Sequence, residues 1–158
     1  MNYYNSISKG YDELHKEEQE KKLLIVKELI HPEKDSSLLD VGCGTGISSS
    51  FNCNVIGIDP SLKLLEQSDK IKVNGVGELL PFKDKSFDYV VSLTALQNFD
   101  NIEKGLLEMK RVCKKQLVLS FLKKSEKKEM IMSLVKKHFT IVKEIEEDKD
   151  LIVKLINL

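Results

Sequence analysis

The chain has 158 residues, 41% of them hydrophobic and 32% charged, which suits one globular domain over 1–158 with a real core. Its 25 basic residues balance 25 acidic ones, so no net field draws the lone chain to nucleic acid. Arg111 is the only arginine, which removes bidentate reading of guanine. Cys43, Cys53 and Cys113 form no C-x-x-C pair, which argues against a disulfide framework or a thiolate zinc site and suits a reducing compartment. No apolar run approaches membrane-spanning length and no signal peptide opens the chain, so a cytoplasmic location and no membrane partner are expected.

Taken in chain order, Asp12 to Ile30 is charged at first and then apolar at Leu23, Leu24, Val26, Leu29 and Ile30. It reads as a helix whose second half packs, stopped by Pro32. Leu38–Val41 and Val55–Ile58 are short strands, with a short helix carrying Leu62, Leu64 and Leu65 after Pro60-Ser61. Ile71–Val73 is a third strand, and Phe87–Leu93 a fourth that is apolar enough to be buried on both faces. Asp100-Asn101-Ile102-Glu103 reads as a capping box opening a helix with Ile102, Leu106, Met109 and Val112 inward. Gly105 inside that helix costs about 1 kcal/mol relative to alanine.

Gln116–Leu122 is a fifth strand, and the helix from about Ser125 to His138 is expected to bury Met130, Ile131, Leu134 and Val135. Strands near Thr140–Ile145 and Leu151–Ile156 follow one another without a helix, so they form an antiparallel hairpin at one edge. Strands alternating with helices predict an α/β fold, a mostly parallel seven-stranded sheet between two helical layers.

The chemistry centres on Asp40-Val41-Gly42-Cys43-Gly44-Thr45-Gly46, at the end of the first strand, where an open α/β sheet binds its ligands. Glycines there let the backbone turn and approach a ligand with no Cβ in the way. Asp59 follows 19 residues after Asp40, at the end of the second strand, where a carboxylate can accept from both hydroxyls of a ribose. A dinucleotide loop would read G-x-G-x-x-G and receive a pyrophosphate. Here the third glycine comes one residue early, and Asp40 would repel a pyrophosphate while favouring an ammonium or sulfonium. S-adenosylmethionine carries both.

At these residues the chain resembles the class I S-adenosylmethionine-dependent methyltransferases. Leu38–Gly46 is similar to their first motif and Ile56–Ser61 to their second-strand motif. Glu78-Leu79-Leu80-Pro81-Phe82 with Ser86–Ser92, and Leu107–Val112, resemble their later ones. The resemblance covers about Ile7 to Leu122 and is strongest to the branch related to quinone C-methyltransferases. It implies a three-layer Rossmann-like sandwich, S-adenosylmethionine as cofactor and residues 1–30 as a helical lid segment containing Tyr4 and Tyr11.

It further implies that Asp40 orients the methionine ammonium, that Gly42 and Gly44 pass under the methionyl–ribose part, and that Asp59, next to Pro60, holds the ribose. Val76-Gly77-Glu78 would edge the adenine, and Ser92-Leu93-Thr94 would face the methionyl end. Two departures stand out. The adenine loop of this branch commonly reads Gly-Asp-Ala-Glu, and Val76 replaces its aspartate; Gly46 to Val55 is also about one turn short, so the first helix after the loop is expected to be stunted.

No proline follows the fourth strand in Thr94-Ala95-Leu96-Gln97-Asn98-Phe99, which disfavours amino-nitrogen methylases of the Asn-Pro-Pro-Tyr type. Gln97 and Asn98 present amides either to an acceptor or to the next turn. The expected function is methyl transfer to a small molecule. One alternative is the catalytic subunit of an RNA or translation-factor methylase that needs a small activator protein. Another is a non-catalytic cofactor-binding module. Asp88 either pairs structurally with a neighbouring group or touches ligand, and Cys43 and Cys53 read as small fillers rather than nucleophiles.

Overall fold

The computed structural model describes residues 9–46 and 50–157, the side chains of 9–12 and 15 excepted. Tyr4 therefore lies outside the described residues, as does the side chain of Tyr11.

Period-two alternation of apolar residues builds the centre of the molecule. The strands are β1 (Ser37–Val41), β2 (Asn54–Asp59), β3 (Lys72–Asn74), β4 (Phe87–Leu93), β5 (Cys113–Leu122), β6 (Phe139–Glu146) and β7 (Asp150–Asn157). They form one seven-stranded sheet in the order β3-β2-β1-β4-β5-β7-β6. All neighbouring pairs from β3 to β5 are parallel, and β7 runs antiparallel to both β5 and β6. The expected edge hairpin is thus β6–β7, with β7 folded inward to pair with β5.

Successive strand residues serve opposite faces. Leu39, Val90, Leu117, Leu119 and Val153 point into one cluster, packed under helices α3 (Ile102–Val112) and α4 (Lys128–His138) through Leu106, Met109, Ile131 and Val135. Leu38, Val91, Val118 and Ile152 point the other way, against Val26, Leu29 and Ile30 at the end of α1 (Lys9–Leu29). Each such side chain, fully buried, stabilises the fold by about 1.5–3 kcal/mol before entropy is counted.

Three local expectations change. Met130 is 46% exposed and Leu24 65% exposed, because both lie off the stripes formed by Ile131 and Val135 and by Leu23, Val26 and Ile30. The start of α3 is also not a capping box. Asn101 is the N-cap, its side chain accepting from Lys104 N–H at 3.0 Å, so Lys104 stands where the glutamate of a box would be. Glu78, distant in sequence, completes the cap: its Oε2 accepts the N–H groups of Asp100 (2.9 Å) and Asn101 (3.2 Å).

Gly105 is explained by packing. A Cβ there would lie 2.4 Å from the Phe99 ring, which also covers Gly77 at 2.5 Å. Asp88 pairs structurally, its carboxylate accepting Ser37 N–H at 3.0 Å while Ser37 Oγ accepts Asp88 N–H at 3.1 Å. Arg111 pins the loop before β4, donating to the carbonyls of Leu80 (3.0 Å) and Phe82 (2.8 Å) and to the carboxylates of Glu108 and Asp84. Between β1 and β2, residues 42–46 and 50–53 form turns and bends. The rest of the expected short helix lies outside the described residues.

Candidate active-site cleft

The strand order reverses direction between β1 and β4, so their outgoing loops diverge and leave a crevice at their C-terminal ends. A cleft of about 1560 Å³ opens there, larger than the space most single small ligands need. Its floor is the glycine loop. Gly42 has φ +78°, and a Cβ on it would sit 2.5 Å from the Ala95 side chain, so the loops after β1 and β4 touch only because residue 42 is glycine. The N–H groups of Gly42 (2.7 Å) and Cys43 (3.1 Å) both donate to the Ile58 carbonyl, fixing the loop against β2.

Asp59 ends β2 and is 8% exposed. Its Oδ2 accepts Gly44 N–H at 2.9 Å and its Oδ1 accepts Ser61 N–H at 2.8 Å. A carboxylate offers about four acceptor positions, so two remain for a ligand's hydroxyls. Ser61 then caps the short helix α2 (Leu62–Glu66) by accepting Leu64 N–H at 3.3 Å.

Of the residues expected at the cofactor, Gly42, Gly44, Asp59, Pro60, Val76, Gly77, Glu78 and Leu93 all line this one cleft. Asp40 lies beneath the loop, wholly buried, and is not among the lining residues. Ser92 departs from expectation: its side chain turns away from the cleft and its hydroxyl donates to the Val41 carbonyl at 2.9 Å, tying β4 to β1. Leu93, the last residue of β4, and Thr94, just past the strand's end, form the wall instead. Glu78 reaches the cleft, but one of its oxygens is committed to capping α3.

Burial, with the nearby carboxylates of Asp40 and Asp59, pushes the Cys43 thiol up to about 12, and burial does the same to Cys113. Neither is a thiolate nucleophile at neutral pH.

Two residues that the sequence did not single out, Lys22 and Asp150, meet Thr94 opposite the glycine loop. Thr94 has φ +55°, a conformation that strains a β-branched residue. It is held there by Ser120, whose carbonyl (3.0 Å) and Oγ (2.9 Å) accept Thr94 N–H, and by Asp150, whose Oδ2 accepts the Thr94 hydroxyl at 2.8 Å. Lys22 of α1 donates to the same hydroxyl and forms an ion pair of 2.7 Å with Asp150, both side chains almost wholly buried. The signal for Lys22 was its helical spacing, on the same stripe as Val26 and Leu29. Asp150 precedes an apolar run and gave no signal.

The cleft is acidic. Among the described residues it is lined by nine Asp or Glu and four Lys, in a chain that is neutral as a whole. Such a surface suits a ligand carrying a sulfonium and an ammonium, and the glycine cradle leaves room for one close to the backbone.

A Rossmann-like sheet with this loop, this acid after β2 and an open end beyond β4 defines the class I methyltransferase fold. Residues 39–121 match the model of the methyltransferase domain family, and the chain belongs to that S-adenosylmethionine-dependent family. An uncharacterized protein of Methanocaldococcus jannaschii is 33% identical over 164 residues, covering 98% of this chain and 64% of that one. The 18S rRNA (guanine-N(7))-methyltransferase bud23 of Schizosaccharomyces pombe is 34% identical over 49% of this chain and 33% of its own length. The demethylmenaquinone methyltransferase of Thermotoga maritima is 33% identical over 55% of this chain and 42% of its own. The chain thus spans less than two thirds of the curated relatives it matches.

Among solved structures, the PH0226 protein of Pyrococcus horikoshii superposes with TM-score 0.79 at 18% identity, covering 100% of this chain and 99% of that one. A chain from the complex between the Haloferax volcanii Trm112 methyltransferase activator and a methyltransferase gives 0.78 at 14% identity, covering 94% of each. At these identities the likeness is one of fold.

Proposed function

We propose that this chain transfers the methyl group of S-adenosylmethionine to a small-molecule acceptor. The observation that carries the reading is the continuity of one cleft from the Gly42–Asp59 floor, past Leu93 and Thr94, to the inner face of α1. The bound cofactor supplies a methyl group on a sulfonium whose leaving thioether is already activated. The protein's task is then alignment and exclusion of water, so no catalytic triad is needed.

In this reading Asp59 and Pro60 bracket the ribose, while Val76, Gly77 and Glu78 edge the adenine. Asp40 acts on the ammonium from beneath the loop, and Leu93 and Thr94 flank the methyl. Residues 1–30, with Tyr4 and Tyr11, act as the lid. The ion pairs Lys22–Asp150 (2.7 Å) and Glu18–Lys149 (2.5 Å) strap α1 to β7 and the turn before it, which supports that role.

A second reading is a catalytic subunit acting on RNA with an activator protein. It draws on the exposed Ile71 (71%), next to the short edge strand β3, on the exposed Leu79 (69%), and on the likeness to a chain solved with such an activator. The acidic cleft weighs against phosphate-bearing substrates for the lone chain.

Calorimetric titration with S-adenosylmethionine tests the cofactor half: micromolar binding is expected, and no heat at near-millimolar cofactor refutes it. Transfer of a labelled methyl group into a small-molecule extract, but not into RNA, tests the acceptor half. Labelling of RNA alone, or only after adding a co-purifying partner, favours the second reading. Cofactor binding with no transfer to any pool leaves a binding module.

A further inference from the structure

Two buried acceptor atoms flank Thr94. Among the described residues, Asp150 Oδ1 and Gln97 Oε1 are buried without a hydrogen-bond partner. Both residues line the cleft, and Asp150 is 1% exposed. The orientation of the Gln97 amide is fixed, because its Nε2 donates to the Thr94 carbonyl at 3.1 Å, which leaves the oxygen as the atom without a partner. Asp150 is likewise fixed, its Oδ2 being engaged by Lys22 and by the Thr94 hydroxyl. Native proteins rarely leave such buried acceptors unmet, and both of these residues bond to Thr94. Ala95, next in the chain, is the residue that touches Gly42 of the cofactor floor.

The surroundings carry an excess of negative charge. At this end the cleft is lined by Glu17, Glu18, Glu147, Asp148 and Asp150, against Lys21, Lys22 and Lys149. Two of those lysines are already paired, with Asp150 and Glu18.

We propose that Thr94, Gln97 and Asp150 form the acceptor subsite and that it takes a small primary amine, which is methylated on nitrogen. The proposal rests on the methyltransferase reading above and deepens it. A neutral amine has two N–H donors and one lone pair. Donating one N–H to Asp150 Oδ1 and the other to Gln97 Oε1 satisfies both acceptors and leaves the lone pair for the methyl group. A hydroxyl has one donor and leaves one acceptor unmet, and a carboxylate or phosphate has none.

The amine loses a proton to solvent and binds in neutral form. Its lone pair then forms the N–C bond as the C–S bond breaks, and the C–S electron pair stays on sulfur as a thioether. The secondary ammonium formed keeps both of its protons and leaves as a cation. Positive charge grows on nitrogen during the step, where the carboxylates of the wall stabilise it.

The test uses the full chain loaded with S-adenosylhomocysteine. Alkylamines from ethylamine to octylamine, with the matched alcohols and carboxylic acids, are titrated by calorimetry, and N-methyl product is sought by mass spectrometry with S-adenosylmethionine. The expected result is an amine bound at least about tenfold more tightly than its alcohol, with no measurable binding of the acid. Asp150→Asn removes that preference, and retained S-adenosylhomocysteine binding shows the variant to be folded. Should Asp150→Asn not fold, Glu17→Lys with Asp148→Lys, both on the exposed rim, is expected to weaken the amine by about tenfold.

No amine preference at any chain length overturns the subsite, as does equal binding of the acid or a preference untouched in the variant that folds. If S-adenosylhomocysteine itself does not bind, the methyltransferase reading has failed, which is a distinct result.

Discussion

Replacing Asp59 by asparagine changes one atom and is expected to damage both stability and cofactor binding. In the structure both oxygens of Asp59 accept backbone N–H groups, from Gly44 at 2.9 Å and Ser61 at 2.8 Å, in a site only 8% exposed. An asparagine has one acceptor atom, so whichever way the amide lies, its NH2 faces an N–H. One charge-assisted bond becomes neutral and the other becomes donor against donor. With charged hydrogen bonds contributing about 1.5–3 kcal/mol and an unmet buried donor costing about 1–3, the loss is about 3 kcal/mol. For a domain of this size that lowers Tm by roughly 6–12 °C.

In the proposed reading the same change removes an acceptor for the ribose, and it loosens the Gly44 turn. S-adenosylhomocysteine affinity should therefore fall by about 5- to 150-fold, equivalent to roughly 1–3 kcal/mol. Urea unfolding of the apo protein and calorimetric titration separate the two effects. If Asp59→Asn unfolds within about 0.5 kcal/mol of wild type, the ordinary range for a harmless surface change, then Asp59 is not the anchor of the loop and the reasoning is wrong.

Three further experiments probe the scaffold. Gly105→Ala should destabilise by about 1–3 kcal/mol despite alanine's better helix propensity, because its Cβ meets the Phe99 ring at 2.4 Å; pairing it with Phe99→Leu should recover part of the loss in thermal unfolding. The Arg111 guanidinium beside Glu108 holds that carboxyl below its ordinary value, so the folded protein binds the proton less tightly than the unfolded chain. The pair's stabilisation is thus complete above the usual glutamate range and is lost as pH falls through the lowered folded value; Arg111→Met should flatten this acid limb in urea titrations from neutral to acid pH. With Cys43 and Cys113 pushed up to about 12 and buried, a thiol reagent at mildly alkaline pH should label the half-buried Cys53 first, and rapid labelling of all three would contradict the packing.

Much of this architecture is local in origin and so was legible in the sequence. The apolar runs Leu38-Leu39 and Val90-Val91 mark strands buried on both faces, and the 3.6 period of Ile102, Leu106, Met109 and Val112 marks the inner stripe of α3. The spacing of Gly42, Gly44 and Gly46, each with positive φ, from Asp59 belongs to one strand–loop–strand unit, so a single stretch of sequence specifies the cleft floor.

Tertiary structure decided what depends on segments far apart in the chain. Glu78 became the distant half of the α3 cap, Ser92 turned from the cleft to hold β1, and the Phe99 ring filled the space left by Gly77 and Gly105. Lys22, Thr94 and Asp150 lie in a helix, after β4 and at the start of β7, and only the sheet order brings them together. Burial without solvent makes their pairing obligatory, and no periodicity records it. The floor of the cleft was written in one local stretch, whereas the wall opposite it was assembled by the fold.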